Sequence, residues 1–463
     1  MTTTVINRTF ALALLCIPFS SSFAADLELK PLFDLVKPDH AQVAAIVQPV
    51  GKNNYLLNEN RHGLMTPAST QKLLTAVAAY QILGRNYRFD TKLVAQTTAN
   101  PQHLANLQIQ FSGDPGLTTT DLRALIRALQ KQGVRRIDSL SLYSSQSSQY
   151  HAPGWVWDDL GICFAAPISG YILDRNCISA QLTSFGNETR VSHPSFLPIS
   201  VSTDASYQAQ PHDFCDLHIE SFPGNRFNVI GCLTQRNRLN LEIALSDPRD
   251  FVNQTIERLL KDAGISLSTP ISYSKQASYG RVLAQHQSAP LHELMVTMLT
   301  DSDNLIADTT FKQMGSHYFA HQGSFTSGSV AVIQTLTGLG IDMSDAVIVD
   351  GSGLSRYNLI SAQQLLQTLQ LIQANPKFTE LTQALAIAGE SGTLRRKTGF
   401  GQAPLKQRVV AKTGTMRGVN GLAGYTLNTE GKPAYAFVYL QNGGKLEVSS
   451  EPILLKALIN QTD

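Results

Sequence analysis

The sequence predicts a mixed α+β fold: a domain of antiparallel sheet flanked by helices, interrupted by a large β-rich insertion. Three observations carry the prediction. Helical patterning at 65–83 and again from about 286 brackets a long stretch of short alternating runs, and the chain closes in strands joined by short Gly- and Asn-containing turns. With 463 residues the chain exceeds one ordinary core. The expected division is 26–85 plus 286–463 for the helix-flanked sheet, and 86–285 for the insertion, itself two subdomains.

The first helix is expected over 65–83. Pro67 suits a first turn, Leu73, Leu74, Val77, Ala78 and Ile82 form a broad apolar face, and Gly84 suits the stop. Within 86–285 the runs YRFDTKLVAQ, LANLQIQF and IDSLSLY read as strands, and DLRALIRALQKQG reads as the one clear helix. HELMVTMLTDSDNLIADTTFKQM and SAQQLLQTLQLIQA read as amphipathic helices. QRVVAKTGT, GLAGYTL and AYAFVYLQN read as an antiparallel meander.

Composition is that of a globular protein, 43% hydrophobic and 16% charged. A formal net charge of +2 without a block of Lys and Arg gives no reason to expect nucleic acid. Arg8, the apolar run 9–19 and the small residues Ser22 and Ala24 read as a signal peptide over 1–24, too short to span a bilayer. No later stretch resembles a transmembrane segment. The expected location is an exported, oxidising compartment, the periplasm. Beyond Cys16 four cysteines remain, an even number that suggests two disulfides there. Of three connectivities, Cys163–Cys177 and Cys215–Cys232 are favoured because sequence neighbours meet easily. No C-x-x-C pair points to zinc, and no metal or cofactor is expected.

Three short motifs could carry chemistry. In Ser69-Thr70-Gln71-Lys72 a helix would set Lys72 on the face of Ser69, giving a poor nucleophile a base. Ser302-Asp303-Asn304 offers a hydroxyl and an amide two positions apart, although Ser and Asp are also ordinary helix caps. Lys412-Thr413-Gly414-Thr415 follows an apolar strand; on an edge, Thr413 and Thr415 could meet a ligand carboxylate, and Gly414 could admit a substrate backbone. Each motif is weak alone. Duplicates exist at Ser272–Lys275, in a strand-like stretch where i and i+3 diverge, and at Lys397–Gly399, where no strand leads in. Substituting alanine for Ser272 or Lys397 is therefore expected to be silent.

In this order the three motifs form the S-x-x-K, S-D-N, K-T-G signature of penicillin-binding proteins and class A β-lactamases. With PASTQK at 67–72, GDP at 113–115, APGW at 152–155, DRNC at 174–177, SDNLIAD at 302–308, DGSGLSR at 350–356 and AKTGT at 411–415, the chain resembles the class C low-molecular-mass penicillin-binding proteins, the D-alanyl-D-alanine carboxypeptidase/endopeptidase or S13 family. The resemblance implies a penicillin-recognising, β-lactamase/transpeptidase-like domain with the insertion between the first two motifs. It implies peptidoglycan stem peptides and cross-links as substrates and β-lactam antibiotics as covalent inhibitors. Ser69 would be the nucleophile, Lys72 the general base held neutral by burial and by the charge of Lys412, Ser302 a proton relay and Asn304 a holder of the substrate amide. Backbone N–H groups of Ser69 and Thr415 would form the oxyanion hole, and Lys412, Thr413 and Thr415 would recognise the terminal carboxylate. A side-chain pocket for diaminopimelate would use Asp159, Phe164, Arg356 and Met416, with Arg417 beside it. Trp155 and Trp157 could serve as pocket walls or as packing. A β-lactamase of this signature needs a deacylating Glu some three dozen residues past S-D-N, and no Glu occurs between Ser302 and Glu380. A covalent sensor would carry a membrane segment, and a silent scaffold would have no need of the four reactive side chains.

Overall fold

The computed structural model describes residues 29–96, 100, 102–210, 215–444 and 450–460; the leader expected over 1–24 lies outside them. The chain's central layer is a six-stranded antiparallel sheet in the order Ala386–Ile387, Val409–Met416, Val419–Leu427, Pro433–Gly443, Ala41–Pro49 and Leu57–Glu59. Strand alternation sends its side chains to two cores. Ala436, Val438 and Leu440 face helices Lys72–Ile82, Leu291–Thr300, Asn304–Phe319 and Ala362–Ala374. Phe437 and Tyr439 face helices Leu29–Val36 and Glu451–Asn460. Helices thus cover both faces of the sheet, the mixed architecture the sequence predicts.

Between Lys72 and Ser302 the chain forms two further sheets. One runs Ser266–Leu267, Arg136–Ser144, His103–Phe111, Asp90–Ala95, Arg281–Gln287. The other runs Leu217–Phe222, Arg226–Thr234, Ser206–Gln208, Glu188–Ser192, Cys177–Phe185, Arg238–Ala244. A continuous apolar core joins them, including Leu140 and Ile137 from the first and Val229 and Ile243 from the second. Buried Lys312 on helix Asn304–Phe319 ties this block to the helical layer. Its ammonium donates to the carbonyls of Ser147, Gln149 and Ile168, each at 2.9 Å.

Three local expectations need correction. The helix expected over 65–83 begins as a separate 3₁₀ turn, Ala68–Gln71, and becomes α-helical only over Lys72–Ile82. The 292–314 stretch is two helices, broken at 301–303: Ser302 adopts φ 65° and the Asp303 carboxylate caps the next helix by accepting from the Ile306 N–H. Consecutive Asp-Ser-Asp satisfies free backbone groups at an end better than it continues an interior. The insertion also holds a second helix, Pro248–Asp262, opened by Asp247 as N-cap and Pro248 in the first turn.

Both disulfides form as expected, Cys163–Cys177 and Cys215–Cys232, with Cα separations of 5.4 and 5.3 Å. No described helix is long and apolar enough to cross a membrane.

Candidate active site

Ser69 sits in the tight turn Ala68–Gln71, which opens on Ala68 at φ 47°. Two glycines hold that turn from either side. A Cβ on Gly353 would stand 1.9 Å from the Ala68 carbonyl oxygen, and one on Gly414 would stand 2.8 Å from the Pro67 oxygen and 3.1 Å from the Thr70 nitrogen. A side chain at Gly414 would therefore meet the nucleophile's own turn, which explains the glycine by packing.

Lys72 begins the α-helix and is fully buried. Its Nζ lies 2.8 Å from Ser69 Oγ, 2.7 Å from Asn304 Oδ1 and 2.7 Å from the Ser352 carbonyl oxygen. Asn304 donates through Nδ2 to the Phe164 carbonyl at 2.8 Å. The loop 350–356 that presents Ser352 is folded around two buried carboxylates. Asp308 Oδ1 accepts from the N–H groups of Gly351 and Ser352 at 2.7 and 2.9 Å, and Asp350 accepts from Gly353, Ser355 and the Trp155 indole N–H. Asp303 is held from the insertion by Arg175, at 2.5 Å, in a DRN turn whose three residues all have positive φ. Asp308, Asp350 and Arg175 stand in quoted motifs, but no periodicity marks them as supports of the Lys72 shell.

Burial is the main force on Lys72. It pulls the amine down from 10.5 to about 8, against the carboxylates of Asp308, Asp350 and Asp303, which favour the charged form. Burial and then the repulsion from Lys72 push Lys412 well below the ordinary lysine range.

A cavity of about 370 Å³ opens on Ser69 and is lined by Ser302, Asn304, Thr415, Met416, Asp159, Phe164, Arg356 and Arg417, among others. Lys412, Thr413 and Gly414 stand behind it. Lys412 donates to the Thr413 carbonyl at 2.8 Å, and Thr413 Oγ1 is bonded to Thr393 Oγ1 at 2.7 Å. Among the described residues, strand Ala386–Ile387 pairs the outer edge of this strand only at Ala411 and Val410. Asp159 is raised above the usual carboxyl range by burial and by Asp158, opposed by Arg356. Arg356 itself donates to the Arg417 carbonyl at 2.7 Å. The Cys163–Cys177 bond fastens the segment carrying Asp159 and Phe164 beside the Arg175 turn.

The duplicate motifs lie elsewhere. Ser272 is on an outer strand, its hydroxyl directed at the Leu140 carbonyl at 3.4 Å. Lys397 pairs at 3.1 Å with Glu451, which is 1% exposed and also accepts from Asn420.

The helix-flanked antiparallel sheet, with a Ser–Lys pair between strand Val409–Met416 and its helical layer, defines the penicillin-recognising class of fold. The family model of D-Ala-D-Ala carboxypeptidase 3 (S13) matches residues 33–458, so the chain belongs to that family and is a penicillin-binding carboxypeptidase. It is 33% identical to a Haemophilus influenzae D-alanyl-D-alanine carboxypeptidase, DacB, over 93% of this chain and 91% of the relative. The crystal structure of penicillin-binding protein 4 from that organism superposes with a TM-score of 0.85 at 32% identity, covering 94% of this chain and 99% of that one. The same H. influenzae protein complexed with a β-lactam gives 0.80 at 30% identity, with the same coverages.

Proposed function

We propose that this chain hydrolyses the D-alanyl-D-alanine bond of peptidoglycan stem peptides, and D-alanyl cross-links as an endopeptidase, through an acyl-enzyme on Ser69 that β-lactams trap. The observation that carries the reading is the set of neighbours around Lys72 Nζ. Two of the three, Asn304 Oδ1 and the Ser352 oxygen, are carbonyl oxygens and can only accept. A neutral amine donates its two hydrogens to them and turns its lone pair to the Ser69 hydroxyl at 2.8 Å. It then takes that proton as Ser69 Oγ attacks the carbonyl of the penultimate D-alanine.

Backbone N–H groups of Ser69 and Thr415 are proposed to hold the developing oxyanion. Ser302 would pass the proton to the leaving amine, and the second hydrogen of Asn304 Nδ2 would hold the acyl-side amide. Thr415 faces the cavity and would meet the terminal carboxylate, supported from within the strand by Lys412, Thr413 and Gly414. Water then releases the acyl group. Among the described residues the acids lining the cavity are Asp158 and Asp159. A catalytic domain of 26–85 plus 286–463 and a periplasmic site of action complete the reading.

Ser69→Ala is expected to abolish both D-alanine release and covalent labelling by penicillin in a protein that keeps its fold. Labelling that persists at another residue would move the nucleophile elsewhere. Digestion of cross-linked and uncross-linked muropeptides side by side reads the two activities separately.

Asp159 and Arg356, with Phe164 and Met416, are proposed to take the diaminopimelate side chain, acid to its amine and base to its carboxylate. A charge-assisted hydrogen bond of about 1.5–3 kcal/mol would be lost on Asp159→Asn, or roughly 10- to 100-fold in kcat/KM on peptides bearing that free amine. Short peptides without it should be unaffected. Equal losses on both would remove Asp159 from the pocket.

A further inference from the structure

A larger cavity, about 650 Å³, lies on the far side of the segment that carries Asp159. It opens between strands Leu217–Phe222 and Arg238–Ala244, the two ends of the second sheet's strand order. The 157–162 segment closes it: Ile162 bridges to Ile243, and Gly161 lies over the Ile219 carbonyl. The 3₁₀ turn Trp157–Asp159 is therefore a partition. Asp159 lines the catalytic cavity, Trp157 lines the second, and Asp158 lines both.

The lining has a definite chemistry. Trp157 is 78% exposed, an indole with no packing duty, in contrast to Trp155, whose N–H bonds Asp350. The lining also includes His218 and Asn240, which lie on the strand faces opposite to the core-packed Ile219 and Leu241. An exposed aromatic face with a few imidazole and amide groups in a concave site suits a ligand with an apolar ring face and hydroxyl and acetamido edges. We propose that this cavity is a saccharide subsite, occupied by the N-acetylated sugar end of the strand whose stem peptide lies in the catalytic cavity.

Reach supports this occupant. Two residues separate the third stem residue from the sugar, an extended span of about 7 Å. The two cavities share Asp158 as a lining residue, so they adjoin at this turn. The proposal rests on the stem-peptide reading of the Ser69 site.

The test compares kcat/KM for a disaccharide pentapeptide and for the same pentapeptide without sugar. The wild type is expected to favour the glycosylated substrate about tenfold. Trp157→Ala and His218→Ala should bring the ratio to about one, with sugar-free cleavage and penicillin acylation unchanged. A ratio of one in the wild type, or a preference that survives both substitutions, overturns the proposal. Failure of the Ser69 reading is told apart by titrating the disaccharide of N-acetylglucosamine and N-acetylmuramic acid against penicillin-treated protein. A saturable change in tryptophan emission, lost in Trp157→Ala, supports the subsite whatever peptide is cleaved; its absence in the wild type overturns it.

Discussion

Lys397→Ala is expected to destabilise the fold by about 3–5 kcal/mol while leaving the penicillin acylation rate of the folded protein unchanged. As part of a K-T-G triplet, Lys397 imitates a catalytic lysine, and by motif order alone its loss should be silent. The structure gives it a different duty. Its ammonium lies 3.1 Å from Glu451 Oε1, and Glu451 is 1% exposed at the start of the last described helix. Removing one partner of such a pair leaves the other charge in a low-dielectric site, and that desolvation cost, more than the lost attraction, sets the magnitude. Thermal or denaturant unfolding measures the loss. Adding Glu451→Gln to Lys397→Ala should recover a good part of it, because the orphaned charge is gone. An undisturbed midpoint in Lys397→Ala would mean that Glu451 is not relying on it. A normal midpoint with lost acylation would restore the triplet as a catalytic candidate.

Lys72→Ala is expected to slow acylation by penicillin about 10³-fold, within the range that a positioned base supplies. Folding should tolerate the change, since Asp308, already pushed toward its neutral form by burial and by Asp350, can stay protonated once the lysine is gone. The wild-type pH profile follows from the same group. The base works unprotonated, and burial places Lys72 at about 8. The neutral fraction therefore rises about tenfold per pH unit below 8, and the acylation rate should rise with it and level off above. Stopped-flow acylation across pH 6–10 measures this. A rate that is flat through the window, or a Lys72→Ala protein within tenfold of the wild type, would place the base at another residue.

Much of the fold was legible in the sequence. Alternating runs such as AYAFVYLQN become central strands because both faces are covered by apolar side chains at a period of two, and residues 362–374 keep helical spacing behind a Ser361 cap. The break at 301–303 falls in five consecutive polar residues, Thr300 to Asn304, whose Ser and Asp are ordinary caps; the capping carboxylate of Asp303 and the left-handed Ser302 show that two helices meet there. Helix Pro248–Asp262 carries its own signals, Asp247 and Pro248 at its start and Phe251, Val252, Ile256, Leu259 and Leu260 on one buried face, although it lies within a block of strands.

The sequence by itself determined the order and chemistry of the three motifs, the family they belong to, the even set of cysteines and the alternation of helix and strand. These are local or compositional properties, written in neighbouring residues. The tertiary structure alone decided why Gly414 has no side chain and that Asp308, Asp350 and Arg175 hold the shell of Lys72. It also set Lys72 near 8 by burial, and it opened a second cavity one turn away from the first. Each of these depends on contacts between residues tens to hundreds of positions apart, and on removal from water, neither of which a local pattern encodes.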